Sequence, residues 1–372
     1  MVKINDWLND SKYIKPLSPA CSMCSKGSKM VLLVTGICSF DCFYCPISFD
    51  KGGRDRIFAD EWELKDENDT EKIIQEAKYI QATGAGITGG DPLIVWKRTK
   101  KYISLLKDEF GSNFHIHLYT KANKNDKYID DFISAGLDEI RFHPSLTDWK
   151  NMDKSPISKI IKDVVNKDVD VAIEIPSIPK MKNEILSLIN WCNINNIKWI
   201  NINELEFSER NAKNFFLKNY QSKDDNSSSI KGSEDIAYDI LSIISEQDYK
   251  TGVHYCSCSF KDGVQLANRI IRRAKNIVKT HEVISNEGTL IKGIIYPQNN
   301  ITLKMIYKKL IYDFKIENKK IYINFDKNRI EMKILELNEI AAKLIDQGLF
   351  SFLIEEYPTA DGLEVEKIPL PI

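Results

Sequence analysis

From residue 30 to about residue 203 the chain alternates between two rhythms. Short apolar, β-branched runs at 31–35, 84–88, 115–120, 139–143, 169–175 and 199–203 have the length and composition of strands. Longer segments with apolar positions at helical spacing lie between them, at 69–83, 96–109, 126–135, 156–166 and 182–195. Several of these end in turn residues, such as Ala135-Gly136 and Asn195-Asn196. Six strands alternating with helices predict parallel pairing with right-handed crossovers. A doubly wound sheet and a barrel share that signature, and periodicity does not separate them.

After residue 203 the rhythm changes. Helical patterns at 204–219 and 233–247 flank a polar stretch, 223–233, that reads as a linker or surface loop. A short strand at 251–255, a helix at 261–279 and a hairpin at 282–296 follow, the hairpin turning at Asn286-Glu287-Gly288. The tail holds one or two helices and strands at 320–325, 330–334 and 350–357. This α+β order predicts a separate C-terminal unit. The expected division is an N-terminal segment 1–29, an alternating domain 30–232, a helical and hairpin extension 233–296 and a small α+β unit 297–372.

Composition narrows the function classes. With 372 residues, 43% hydrophobic and 28% charged, the chain can bury a core without staples. Its 52 basic and 53 acidic residues exclude a globally basic nucleic-acid binder, though not a local basic patch. The first residues lack a signal-type apolar core, and no run approaches the roughly 20 apolar residues that span a bilayer. A cytoplasmic protein without membrane contact is therefore expected. In that reducing compartment the eight cysteines are metal ligands or catalytic groups rather than disulfides.

Three of them sit directly after the first strand, in Thr35-Gly36-Ile37-Cys38-Ser39-Phe40-Asp41-Cys42-Phe43-Tyr44-Cys45-Pro46. The spacing also fits one face of a helix, but a glycine precedes the cluster, a proline closes it and no apolar helix continues. Structural zinc wants four closed ligands. An iron–sulfur cube normally takes four cysteines, so three leave one iron open, and an open coordination position marks catalysis. The second strand ends in a glycine-rich turn, Gly84-Ala85-Gly86-Ile87-Thr88-Gly89-Gly90-Asp91-Pro92.

The CxxxCxxC loop, with Tyr44 just before its third cysteine, resembles that of the radical S-adenosylmethionine (SAM) superfamily. Gly89-Gly90-Asp91 is similar to the family's GGE-type motif, which grips the SAM amino group through backbone carbonyls; here Asp91 replaces the glutamate. The resemblance covers roughly residues 30–203 and implies an α/β fold, a partial parallel (β/α)6 TIM-type barrel with a C-terminal α+β extension. It also implies a [4Fe–4S] cluster on Cys38, Cys42 and Cys45, at the C-terminal ends of the strands. SAM would chelate the open iron, and an external one-electron donor of flavodoxin or ferredoxin type would drive its reductive cleavage. The resulting 5′-deoxyadenosyl radical would abstract hydrogen from a substrate. Tyr44, Gly89, Gly90, Asp91, Thr120, Arg141, Glu174 and Asn201 are the implied SAM-binding residues. Among them, Arg141 would pair with the SAM carboxylate and Glu174 would accept from ribose hydroxyls. The C-terminal half is similar to activating-enzyme-like archaeal members of the superfamily.

A second set of thiols lies outside that loop. Cys21-Ser22-Met23-Cys24 precedes the first strand, and His254-Tyr255-Cys256-Ser257-Cys258 follows far downstream. If the fold joins the two ends, Cys21, Cys24, Cys256 and Cys258 form a zinc site or a second iron–sulfur cluster, with His254 spare. The alternative is buried free thiols. Cys192, on an apolar helical face, is expected to be core. His115 and His117 share one strand face. Arg269, Arg272 and Arg273 share a helix face, either solvated or clamping phosphate, a nucleotide or RNA. Three functions stay open: a radical SAM oxidoreductase or transferase-type enzyme on a nucleotide, RNA or other anionic substrate; a glycyl-radical-type protein activase; and a non-catalytic zinc-stabilised binder.

Overall fold

The computed structural model describes residues 2–122, 126–225, 227–298 and 301–372. The chain divides into two compact units, Met1–Asn268 and Arg269–Ile372. In the first, the apolar runs pair into one sheet. Its strands are β1 (Ile4–Asp6), β2 (Lys12–Ile14), β3 (Lys29–Leu33), β4 (Phe58–Ala59), β5 (Trp62–Glu63), β6 (Gly84–Thr88), β7 (His115–Thr120), β8 (Glu139–Phe142), β9 (Asp170–Ser177), β10 (Trp199–Glu204) and β11 (Gly252–Cys256). Their order is β1-β2-β11-β10-β9-β8-β7-β6-β3-β4-β5. β3 and β6 to β11 run parallel. The short outer strands are antiparallel. The fold is thus α/β with a large parallel sheet, and its strand order is linear rather than closed.

Helices α1 (Pro19–Ser25), α2 (Thr70–Tyr79), α3 (Trp96–Phe110), α4 (Ile129–Ser134), α5 (Pro156–Val165) and α6 (Lys182–Ile194) connect or cover these strands. Their apolar stripes meet the sheet in one core, where Leu32, Ile87, Leu118, Ile140, Ile173 and Ile202 pack with Ile73, Ile103, Phe132, Ile161 and Ile189. Each such side chain contributes about 1.5–3 kcal/mol by leaving water. Cys192 is part of this core and fully buried, as expected. Helix α1 is capped by Ser18, whose Oγ accepts from Cys21 N at 3.2 Å, and Pro19 fits the first helical position.

Three expectations shift. β11 lies parallel to β10, so the segment read as part of an extension is a seventh parallel strand of the sheet. The helix expected at 204–219 is reduced to α7 (Ala212–Leu217). This helix and its N-cap reach the cysteine segment, through Asn211 Nδ2 to Tyr44 O and Asn214 Nδ2 to Phe43 O, both at 3.3 Å. The polar stretch 223–233 is pinned inside the first unit by Lys223 N to Ser229 O at 2.8 Å and Lys231 N to Gln221 O at 2.9 Å; Asn226 lies outside the described residues. The two compact units meet between Asn268 and Arg269, within the segment expected as the 233–296 extension.

The second unit is α+β. An antiparallel sheet of β12 (Val283–Ile284), β13 (Leu290–Ile295), β14 (Tyr322–Asn324), β15 (Arg329–Met332), β16 (Ser351–Glu356) and β17 (Glu364–Pro369) runs β14-β15-β13-β16-β17, with β12 beside β13. β17 is highly exposed and polar, which hid it from the apolar pattern. Two helices, Leu303–Tyr312 and Ile334–Ile345, close a core around Ile295, Ile306, Leu310, Ile330 and Leu337. A buried charge network crosses the sheet. Arg329 lies 2.7 Å from both Glu331 and Glu356, and Lys292 lies 2.6 Å from Glu282 and 2.8 Å from Glu356. Arg269 and Arg273 are only 7% and 5% exposed, and Arg273 donates to the Pro358 carbonyl. This corrects the expectation of a solvated or anion-gripping arginine face: two of its three members are packed away. No helix of the described residues is long and apolar enough to cross a membrane.

Candidate active site

The C-terminal ends of β3, β6, β7, β8, β9 and β10 open on one cavity of about 620 Å³, a size typical of small-molecule sites. Cys38, Cys42, Tyr44 and Cys45 line it, with Gly89, Gly90, Thr120, His143, Glu174 and Asn203. The cysteine segment leaves β3 as an irregular loop whose free thiols range from half-buried to exposed. Cys45 N bonds Cys42 O at 2.9 Å, a turn that brings the second and third cysteines around. Cys38 Sγ accepts from Phe40 N at 3.4 Å. Its thiol is held above the usual range, first by burial and then by the negative neighbours Asp91, Cys42 and Cys45, against the Phe40 hydrogen bond. Lys121 Nζ lies 3.5 Å from Cys42 Sγ and places a cation beside it.

The glycine turn explains why the loop sits here. Gly90 N donates to Thr35 O at 2.7 Å and Asp91 N to Ile37 O at 2.9 Å, stitching the turn to the cysteine segment. Gly89 has φ +138, and a Cβ on Gly90 would overlap the Ile37 carbonyl, so close backbone approach requires glycine at both positions. Among the described residues no donor bonds the carbonyls of Gly89 and Gly90. Asp91 itself is turned inward. Its carboxylate accepts from Thr120 Oγ1 at 2.7 Å, Leu93 N at 3.1 Å and Lys121 N at 3.3 Å. Burial raises its pKa, and those hydrogen bonds pull the other way.

The polar strand-end residues separate into two groups. Glu174 faces the cavity, with Oε1 accepting from Asn203 at 2.9 Å and Oε2 from Arg141 and Asn201 at 2.7 and 3.1 Å. Burial raises its carboxyl, but the Arg141 charge and these hydrogen bonds outweigh burial and hold it below the ordinary range. Arg141 does not reach the cavity. Its guanidinium is buried between Glu139 at 2.6 Å, Glu174 at 2.7 Å and Ser18 Oγ at 2.6 Å. Asn201 is likewise engaged with Glu174 and Cys21. Arg141 and Asn201, both expected to touch SAM, direct these donors to groups within the protein. Thr120 lines the wall, but its hydroxyl is taken by Asp91 and Ala122 N. His143 shares a hydrogen bond of 2.8 Å with Tyr44. Burial, then the Lys121 charge, lowers its pKa to about 4, so it is neutral at pH 7. His117 bonds Tyr119 at 3.2 Å and His115 faces Glu139 at 3.3 Å, so the two histidines serve the strand network.

Lys29, Tyr119, Lys121, Glu206 and Lys261 also line the cavity and were not anticipated. Lys121 follows Thr120 at a strand end, a position that sequence could flag; Glu206 comes from an irregular segment with no periodic signal, and Lys261 opens a helical stretch far along the chain.

The sulfurs of the second thiol set stand apart. No three of Cys21, Cys24, Cys256 and Cys258 bring their sulfurs within 4.8 Å of one another among the described residues. Cys258 turns away, its thiol donating to Glu206 at 3.5 Å, while Cys256 packs with Phe260, Val264, Trp7 and Cys24. Cys38, Cys42 and Cys45 are also wider than 4.8 Å, but in a cube each thiolate binds its own iron.

Residues 32–178 match the model of the radical SAM superfamily, and residues 288–370 match a domain of unknown function, DUF8061. A protein of Methanocaldococcus jannaschii, named as a glycyl-radical enzyme activating enzyme, is 40% identical over 370 residues, 95% of this chain and 93% of its own. The chain belongs to the radical SAM superfamily. Among solved structures, SuiB of Streptococcus suis bound to S-adenosylmethionine aligns with 13% identity and TM-score 0.43, over 62% of this chain and 50% of that one. The radical SAM methyltransferase TsrM of Kitasatospora setae, with cobalamin and a [4Fe–4S] cluster bound, aligns with 9% identity and TM-score 0.39, over 69% of this chain and 53% of that one. The chain thus spans about half the length of these solved structures. As a radical SAM protein it works with a [4Fe–4S] cluster and SAM. The cavity suits both groups in kind, since free thiols, backbone carbonyls of the glycine turn, a carboxylate and a neutral imidazole line one space.

Proposed function

We propose that this radical SAM enzyme holds its [4Fe–4S] cluster on Cys38, Cys42 and Cys45 and binds SAM in the cavity beneath them. The observation that carries the reading is the pairing of those three free thiols with the Gly89 and Gly90 carbonyls, unbonded among the described residues, across one hydrogen-bonded seam. The chemistry supplied there is one-electron reductive cleavage of SAM, generating the radical that takes hydrogen from a substrate. The chain's own residues prepare the space. Lys121 offsets thiolate charge at Cys42. The Gly89 and Gly90 carbonyls accept from an ammonium group, and Glu174, steadied by Asn203 and Arg141, accepts from hydroxyls. The Tyr44–His143 pair fixes the loop against β8 and keeps a neutral, apolar-backed wall. Arg141, Asn201, Asp91 and Thr120 are positioning residues here, since their polar atoms are engaged within the protein. We read the sheet as the incomplete (β/α)6 barrel of the superfamily, supported by six strand ends converging on one cavity. The electron donor on this reading is a flavodoxin or ferredoxin.

For the substrate, the full-length relative's name supports a protein activase, in which a glycine-bearing segment of a partner protein enters the cavity. The burial of Arg269 and Arg273 removes the feature that favoured a nucleotide or RNA. The test is anaerobic reconstitution with iron and sulfide, then SAM and dithionite. The expected product is 5′-deoxyadenosine, falling at least about 100-fold in Cys42→Ala together with the brown colour. Retention of both would overturn the cluster assignment. Adding the reconstituted enzyme and SAM to anaerobic cell extract should then give a protein-bound radical by electron paramagnetic resonance. Hydrogen taken instead from a small molecule would overturn the activase reading alone.

A further inference from the structure

We infer a second metal centre between α1 and the β10–β11 edge, ligated by Cys21, Cys24, Cys256 and His254 and taking zinc or iron. Four independent placements bring these residues together. Cys21 and Cys24 stand three apart on α1 and so share one helix face. Cys21 Sγ lies 3.3 Å from Asn201 Nδ2. Asn201 is the cross-strand partner of His254, so the two side chains point to the same side of the sheet. Cys24 packs in the same small cluster as Cys256, at the end of β11.

His254 supplies the observation that points to a ligand. It is only 5% exposed and stands beside the Cys21 thiol, and among the described residues neither ring nitrogen meets hydrogen-bond geometry with any group. Leaving one buried imidazole nitrogen unsatisfied costs about 1–3 kcal/mol. Trp7, in the same cluster as Cys24 and Cys256, also carries a buried Nε1 that is unpaired among the described residues. Coordination through one imidazole nitrogen removes the His254 deficit, and three thiolates with one imidazole are a standard zinc set.

The surrounding charge agrees. Three thiolates on a divalent ion leave one net negative charge. Arg141 lies 3.6 Å from Cys21, and the Lys29 ammonium stands near Cys24. Cys258 is excluded from the set because its thiol faces Glu206. The ligand atoms are spread wider than the roughly 3.8 Å between sulfurs on one tetrahedral zinc. Binding therefore either draws α1 toward β11 or shares the thiolates among several irons.

The centre does not depend on the proposed function, and its test is made without the first cluster. The full chain carrying Cys38→Ala, Cys42→Ala and Cys45→Ala is purified anaerobically, washed with chelator and analysed for zinc and iron. Separate samples are loaded with cobalt(II), or with iron and sulfide. The expected result is about one centre per chain, seen as zinc, as cobalt–thiolate charge-transfer absorption, or as iron with sulfide. Adding Cys24→Ser or Cys256→Ser should abolish it, and His254→Ala should weaken it at least about tenfold, while Cys258→Ser leaves it intact. Circular dichroism confirms that each variant is folded. Should a variant unfold, the cobalt spectrum of the folded parent decides by reporting sulfur ligation. Absence of metal from the folded parent under all three loadings overturns the inference, as does loss of the centre in Cys258→Ser with retention in His254→Ala.

Discussion

Arg141 shows how partners decide a residue's role. Its guanidinium has one carboxylate two residues back on its own strand, Glu139, and another on the neighbouring strand, Glu174. With both in place it is a buried brace, and Glu174 is the group that meets the cavity. A titration follows. The Glu174 carboxyl is held below its ordinary range in the folded protein, so its stabilising effect is complete above the unfolded value of about 4.3 and is lost as pH falls through the lower folded value. Glu174→Gln should cost on the order of 3 kcal/mol at pH 7 by leaving Arg141 half-paired. That gap should narrow as pH drops below about 4.3. Urea midpoints of both proteins from pH 7 to pH 3 check this; a gap that stays constant would remove Glu174 from the charge balance.

At the scale of elements, the site is one seam between two loops that follow neighbouring strands. β3 and β6 pair in register from Lys29–Gly84 to Leu33–Thr88, so the cysteine loop and the glycine turn leave the sheet side by side. Gly90→Ala would drive a Cβ into the Ile37 carbonyl, and backbone rather than a flexible side chain must yield. The expected cost is about 1–3 kcal/mol of stability, with much larger loss of iron than Thr120→Ser would cause. Thermal melts paired with iron analysis of reconstituted protein test it. Wild-type iron content in Gly90→Ala would mean that the seam does not hold the loop. The turn was recognisable as glycine-rich from sequence. Its immediate task, donating to Thr35 and Ile37, was not, because those bonds cross between segments about 50 residues apart.

For the molecule as a whole, the two units are held by different physics. The first relies on one large apolar core, whereas the second combines a smaller core with the Lys292, Arg329, Glu282, Glu331 and Glu356 network. Lys292→Met would leave Glu282 and Glu356 buried without that cation and should destabilise the second unit by about 3–5 kcal/mol. Hydrogen exchange should show faster opening in β13, β15 and β16, with little change in β6 to β10. Equal change in both units would show that they unfold together.

The sequence alone determined the alternating strands and helices, the fully buried Cys192 and the three-thiol loop with its glycine turn. Those signals are local: a strand's apolar run, a turn's glycines and a ligand spacing are written within a few residues of one another. Only the tertiary structure decided that β11 joins the parallel sheet, that Arg141 faces Glu139 and Glu174, that Cys258 turns to Glu206, and that the buried His254 stands beside Cys21. Each of these depends on which distant segment packs opposite, and a side chain's partner across a core leaves no periodic mark in the chain.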